Sequence, residues 1–263
     1  MMDRKPAKNP STPILPSAGS AIGVDGCKAG WFSVAIDSYG DPGFGIFKTI
    51  QALWDACHDA GTILIDIPIG LISGAGAGRL CDAAARKALR PRRHGSVFSP
   101  PCREALAAHS HAEACAINLR VCGRKISIQA WGISAKIKEV DEFLHGCPQA
   151  RGVMRETHPE ICFRALAGGT PMRHGKKSAA GEAERLELLA RAYPRSADIF
   201  RAALDRYPRK GLARDDILDA LVNAVTALRL KHGAVTLPDH PPMDRSGFPM
   251  EIVYAPVPVP SLL

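Results

Sequence analysis

Aspartates stand at three places where an apolar stretch of sequence begins, ends or is interrupted. Asp25 follows Ala21-Ile22-Gly23-Val24, and Asp66 lies inside Ile63-Leu64-Ile65-Asp66-Ile67-Pro68. Much later, Asp215, Asp216 and Asp219 fall at the start of a strongly apolar helical pattern. Carboxylates on rigid elements are the natural oxygen ligands of Mg²⁺ or Mn²⁺. A carboxylate in apolar surroundings costs on the order of several kcal/mol unless it is paired or binds a cation. Asp216 and Asp219 are three residues apart, which puts them on one helix face with Cβ atoms about 5–6 Å from each other. Asp25, Asp66, Asp216 and Asp219 are therefore the candidate catalytic and metal-holding residues. Four carboxylates can hold two ions about 4 Å apart, the spacing used for in-line phosphodiester hydrolysis. Each acid also has a plainer reading: Asp25 as a turn residue, Asp66 as the cap of the following loop, Asp215 and Asp216 as partners of the helix dipole.

A second group of residues could meet a substrate. Glu156-Thr157-His158-Pro159-Glu160 reads as a strand end followed by a helix start, which can aim Glu156 or His158 into a cleft. Within it, Thr157 and Glu160 fit a capping box. Ser96, Ser99, Arg79, Arg86, Arg92, Arg93, Lys136 and Lys138, with Lys177, are the candidates for contact with phosphate oxygens. Gly74-Ala75-Gly76-Ala77-Gly78 is glycine-rich but lacks the Gly-Lys-Ser/Thr ending of a phosphate-binding loop. Cys102, His109, His111, Cys115 and Cys122 fit no common zinc spacing. Cys27 has no base assigned to it by the sequence.

The elements that must position these residues follow from periodicity. Apolar runs predict strands over 20–27, 30–36 and 44–48, with Gly26 and Gly30 bracketing a tight turn between the first two. A helix near 50–59 and a buried strand at 62–67 complete a β-β-β-α-β start, as in a mixed sheet covered by helices. Helices are expected over 79–89, 102–118 and 133–145, a strand over 152–157, and helices over 159–166, 179–193 and 197–206. The strongest helix runs over 213–231, with Ile217, Leu218, Leu221, Val222, Val225 and Leu228 on one stripe. A last strand is expected at 250–254.

The chain of 263 residues suits one large α/β domain or two small ones. An excess of 34 Lys and Arg over 26 Asp and Glu gives a charge of +8, compatible with a nucleic-acid partner because phosphate contacts draw on Lys and Arg. No apolar run has the length of a membrane span, so no membrane partner is expected. Residues 1–19 read as a disordered tail without the apolar core of a signal peptide, and 256–263 as a Pro-rich tail. Eight cysteines with no CxxC pair lead to an expectation of reduced thiols and a cytoplasmic location.

Several motifs in one order carry a family resemblance. These are Gly23-Val24-Asp25-Gly26-Cys27-Lys28-Ala29-Gly30-Trp31, Ile65-Asp66-Ile67-Pro68-Ile69-Gly70-Leu71, Cys81-Asp82, Ser96-Val97-Phe98-Ser99-Pro100-Pro101, Glu156-Thr157-His158-Pro159-Glu160, Gly168-Gly169, Lys176-Lys177, and Asp215-Asp216 with Asp219-Ala220. Together they resemble domain-of-unknown-function family 429, over about residues 20–255. The resemblance implies an α/β fold of the ribonuclease H-like kind, a mixed five-stranded sheet flanked by helices, and a nuclease activity dependent on Mg²⁺ or Mn²⁺. The Asp216-x-x-Asp219 pair also resembles the helix pair of Holliday-junction resolvases of this superfamily, and by that resemblance Asp25, Asp66 and Asp219 would be the metal carboxylates, with Asp216 the fourth. The segment 72–150 is longer than a minimal ribonuclease H requires and is expected to form a helical insert. An actin-like or sugar-kinase-related ATPase or phosphotransferase, and a non-catalytic binding module of the same fold, stay open as alternatives.

Overall fold

A computed structural model describes residues 18–74 and 78–257. Most of the expected N-terminal tail, the centre of the glycine-rich loop at 75–77 and the end of the Pro-rich tail lie outside the described residues. The chain opens with three antiparallel strands, β1 (Ala21–Cys27), β2 (Gly30–Ile36) and β3 (Pro42–Phe47), then helix α1 (Ile50–Cys57) and strand β4 (Thr62–Ile65). Helices α2 (Leu80–Ala88), α3 (His111–Cys122), α4 (Ile128–Gly132) and α5 (Ser134–Gly146) precede strand β5 (Met154–Glu156). Then come α6 (Pro159–Leu166), α7 (Ala179–Ala192), α8 (Ser196–Arg206), α9 (Arg214–Arg229), β6 (Val235–Leu237) and β7 (Ile252–Tyr254).

Five strands form one mixed sheet in the order β3-β2-β1-β4-β5. β1 pairs antiparallel with β2 and parallel with β4, and β5 continues parallel to β4. This is the helix-flanked mixed sheet expected of a ribonuclease H-like fold. The long segment between β4 and β5 is helical. A single predicted helix over 102–118 is instead a short 3₁₀ turn at Arg103–Ala107 followed by α3, because Ser110 caps a new start by accepting from Glu113 N. The predicted last strand is present as β7, but it pairs with β6 in a separate two-stranded sheet.

Alternation along β1 decides which side chains face which layer. Ile22 and Val24 pack with α1 and α5 in one core, together with Ile63 and Ile65 of β4. Cys27 packs in the opposite core beside α6, α8 and α9, and Ala21 and Leu64 meet Ala227 of α9. Asp25 and Asp66 share the parity of these last residues, so the strand period turns both toward α9. The parallel register pairs Val24 with Ile65, and Asp66 N donates to Val24 O at 3.0 Å. Asp25 and Asp66 are thereby neighbours at the C-terminal ends of adjacent strands.

α9 is buried on nearly every side from Ile217 to Ala227, as suits a central helix. It lies unusually close to β1 because position 23 has no side chain. A Cβ at Gly23 would come within 2.0 Å of Ala224 N and 2.2 Å of Ala220 O. Asn223, fully buried, reaches across this contact and donates from Nδ2 to Val24 O at 3.1 Å.

Candidate functional site

The acids at the ends of β1 and β4 and at the start of α9 open into one cleft of about 560 Å³. Asp25, Asp66, Asp216 and Asp219 all line it, as do Lys136, Glu156, His158 and Lys177 among the other residues singled out in the sequence. Asp219 stands one helical turn before Asn223, and Asp216 one turn before Ala220, so the contacts that dock α9 on β1 also carry these carboxylates to the strand ends. Asp25 is 7 % exposed and Asp219 2 % exposed, so both have left most of their water.

The electrostatics record how close the acids are. Burial drives the Asp25 carboxyl well above its ordinary range, and neighbouring Asp66 and Asp219 push it the same way. Asp66 is raised to about 7, first by burial and then by Asp219. Asp216 is raised to about 6 by burial, although its carboxylate accepts from Ala213 N at 2.9 Å. Among the described residues, the cation in direct contact with these acids is Lys176, whose ammonium donates to Asp219 Oδ2 at 2.6 Å and lies 3.7 Å from Asp215 Oδ2. Burial alone would lower its affinity for a proton, but Asp219 and Asp25 outweigh that and hold it charged.

Donor chemistry and charge balance both fit a hard divalent cation. The acids are oxygen donors, and Asp25 and Asp66 hold their protons more tightly than usual, first because they are buried and then because other carboxylates stand beside them. Their present spacing is looser than a closed ligand set. Among the described residues, the one group of three His, Cys, Asp or Glu ligand atoms mutually within 4.8 Å is Cys81, Asp82 and Glu156. That group is already supplied with a cation. The guanidinium of buried Arg79 hydrogen-bonds Asp82 Oδ1 at 3.0 Å, contacts Glu156 Oε2 directly, and donates to Ile69 O at 3.0 Å. One guanidinium serves two acids there, and burial lifts Glu156 to about 8 against the pull of Arg79.

Other expected residues turn out to be occupied by structural work. Glu156 Oε2 also accepts from Ile69 N at 2.7 Å, which ties the end of β5 to the segment after Asp66. His158, not Thr157, caps α6: its Nδ1 accepts from Glu160 N at 3.2 Å, which leaves Nε2 to face Ser96 O at 3.4 Å. Burial lowers its affinity for a proton. Thr157 donates its hydroxyl to Val253 O at 2.6 Å instead. Glu160 is no capping-box partner, because it forms a buried ion pair with Arg185 at 2.5 Å. Lys136 donates to Gly30 O at 2.7 Å and lies 4.1 Å over the Trp31 ring. Lys177 is exposed at the cleft.

Arg86 and Ser99 are not brought into the cleft. Arg86 Nη2 donates to Ser99 Oγ at 2.5 Å and Nε to Val97 O at 3.1 Å, so the pair braces the 97–99 segment against α2. Gly74 and Gly78, the described ends of the glycine-rich loop, are also absent from the lining among the described residues. Cβ positions at Gly74 and Gly78 abut the guanidinium groups of Arg245 and Arg124. Arg79, a phosphate candidate in the sequence, is buried and pairs with Asp82 and Glu156 instead. Lys176 reaches Asp219 across a separation of 43 residues, and Asn223 shows only as a polar residue in an apolar helix, four places after Asp219.

All eight cysteines are free thiols. Among the described residues, no helix is long and apolar enough to cross a membrane. Comparison with known proteins finds no match among curated proteins and none among solved structures. A family model described as "Protein of unknown function (DUF429)" matches residues 23–243, which span β1 through α9 and every acid of the cleft. With that match over most of its length, the chain belongs to the DUF429 family.

Proposed function

We propose that the cleft is the active site of a metal-dependent phosphodiesterase or nuclease that uses Mg²⁺ or Mn²⁺. The observation that carries the reading is the meeting of Asp25, Asp66 and Asp219, from three separate elements, in one cleft. Burying several carboxyl groups side by side is costly unless they are paired or bind a cation.

A divalent cation held by Asp25, Asp66 and Asp219, with Asp216 beside them, would supply Lewis acidity toward a phosphoryl oxygen. The rest falls to the protein. Lys136 and Lys177 line the cleft and offset the repulsion between a phosphodiester and the acids. Asp216, with its pKa near 6, has a proton affinity suited to accepting a proton from water at neutral pH. Water adds to phosphorus, its proton passes to that carboxylate, and the bond from phosphorus to the leaving oxygen breaks in line, the departing alkoxide taking a proton from solvent water to become the alcohol. His158 is a poor proton carrier here, because both ring nitrogens are engaged.

The test is cleavage of nucleic acid and of a small aryl phosphodiester with and without Mn²⁺, beside Mn²⁺-induced heat stabilisation. Asp25→Asn and Asp66→Asn are expected to abolish both cleavage and stabilisation while the far-ultraviolet circular dichroism is kept. Undiminished cleavage in both variants would end the proposal. Stabilisation by ATP in place of Mn²⁺ would redirect it to a phosphotransferase.

A further inference from the structure

Beside the acidic cleft lies a second hollow of about 280 Å³, and the two share Val97 and Phe98 in their walls. The charged residues of the second hollow are Arg124 and Lys125, with no acid among its lining residues. Neither cation makes an ion pair among the described residues. Phe98, on the ridge between the hollows, is 41 % exposed. Isolated exposed aromatics are common and mean little by themselves. This one is held in place.

Three contacts make the ridge and the far wall one rigid unit. Arg86 fastens Val97 O and Ser99 Oγ, on either side of Phe98, to α2. Val97, Pro100 and Pro101 are buried around it. Asn118, 1 % exposed, accepts from Cys102 N at 2.7 Å and donates to Arg124 O at 2.8 Å. One buried amide therefore joins the chain just after Phe98 to the turn that carries Arg124 and Lys125. An aromatic face, two unpaired cations and the acidic cleft stand in fixed relation before any ligand arrives.

We infer that Phe98 and the Arg124–Lys125 wall form a subsite for single-stranded nucleic acid, with a base stacked on Phe98 and the adjoining phosphates toward Arg124 and Lys125. The inference rests on the phosphodiesterase reading and gives its substrate class. A small phosphodiester would need the acidic cleft alone, whereas a strand would continue over the ridge into a hollow of opposite charge. In a duplex the bases are already stacked on one another and offer no face to Phe98. An aromatic platform beside a cationic wall binds single strands of either sugar type.

Fluorescence anisotropy with a labelled oligothymidylate, an oligouridylate, the same sequence as a duplex, and thymidine monophosphate as competitor tests the assignment. The parent protein should bind both single strands more tightly than the duplex, and the mononucleotide should compete weakly. Phe98→Ala should weaken the single strands by about tenfold, the scale of one lost base stack. Arg124→Ala with Lys125→Ala should weaken them further as salt falls and flatten the salt dependence. Mn²⁺-induced heat stabilisation should stay at the parent value in both variants, which shows that fold and acid cluster are intact. Parent-like strand binding by Phe98→Ala, or duplex binding as tight as single-strand binding, would overturn the subsite. Strand binding through Phe98 without Mn²⁺ stabilisation or cleavage would retain the subsite and remove the hydrolase reading instead.

Discussion

Asn223 Nδ2 donates to the Val24 carbonyl at 3.1 Å, and the same carbonyl accepts from Asp66 N at 3.0 Å. One backbone oxygen thus joins the strand that carries Asp25, the strand that ends at Asp66 and the helix that carries Asp219. The acid cluster is assembled at this point of the core and not in a surface loop. Perturbing the core contact should therefore perturb the acids without touching any of them.

Asn223→Ala is expected to cost about 1–3 kcal/mol of stability, the range for removing a partner from a buried hydrogen bond. Mn²⁺ affinity should fall with it. Urea unfolding and titration calorimetry measure the two effects, and full stability with full affinity would show that α9 is positioned by packing alone.

Gly23→Ala should be more damaging. Its Cβ would meet backbone atoms of Ala224 and Ala220, which cannot swing aside as a side chain can. Helix α9 must then shift away from β1, at an overpacking cost of roughly 3 kcal/mol or more. Loss of Mn²⁺ stabilisation together with a lower Tm is the expected outcome. A parent-like Tm would mean that the helix has room to retreat.

Stability without metal should fall as pH rises from about 4 to 7 through the contribution of Asp66. In the folded protein this acid keeps its proton up to about pH 7, while the unfolded chain releases it near the ordinary value of 3.8. Between those values the folded state holds the extra proton, so its contribution is fully present below the lower value and lost through the upper one. Asp219 and Glu160 push the Asp66 carboxyl the same way, and Lys176 moderates the effect. Asp66→Asn should be more stable than the parent at pH 8 in chelator and nearly equal at pH 4. Tm measured against pH would contradict this if the gap between the two proteins narrowed as pH rose.

Lys176→Met should bind Mn²⁺ several-fold more tightly, because the ammonium that contacts Asp219 no longer competes for the same charge. The metal-free variant should have a lower Tm, since the acids then have no close counter-charge. Titration calorimetry that gave weaker binding would instead make Lys176 an organiser of the site.

Arg79→Met should cost about 3–5 kcal/mol, the penalty for leaving buried acids without their partner. The loss should grow as pH rises and Glu156, raised to about 8 by burial, is forced to ionise. A change below about 1 kcal/mol in urea unfolding would show that the pocket needs little from Arg79.

Much of this protein was legible before folding. Apolar runs ending at Asp25 and Asp66, and an apolar stripe interrupted by Asp219, are local patterns with periods of 2 and 3.6. They were enough to predict β1, β4 and α9, the mixed sheet and the carboxylates that would converge. The cap of α6 was misread, because Thr157 and His158 can both serve there and only the approach of Val253 O diverts the threonine hydroxyl. Likewise β6 makes a strand only because β7 lies beside it. Lys176 among the acids, Arg79 between Asp82 and Glu156, and Arg86 turned from a phosphate candidate into a brace all depend on partners distant in the chain or on loop geometry. Periodicity records which face a residue takes, since that follows from backbone geometry at its own position. Which charge meets which is set by distances across the packed core, and those exist only once α9 has settled into the gap left by Gly23.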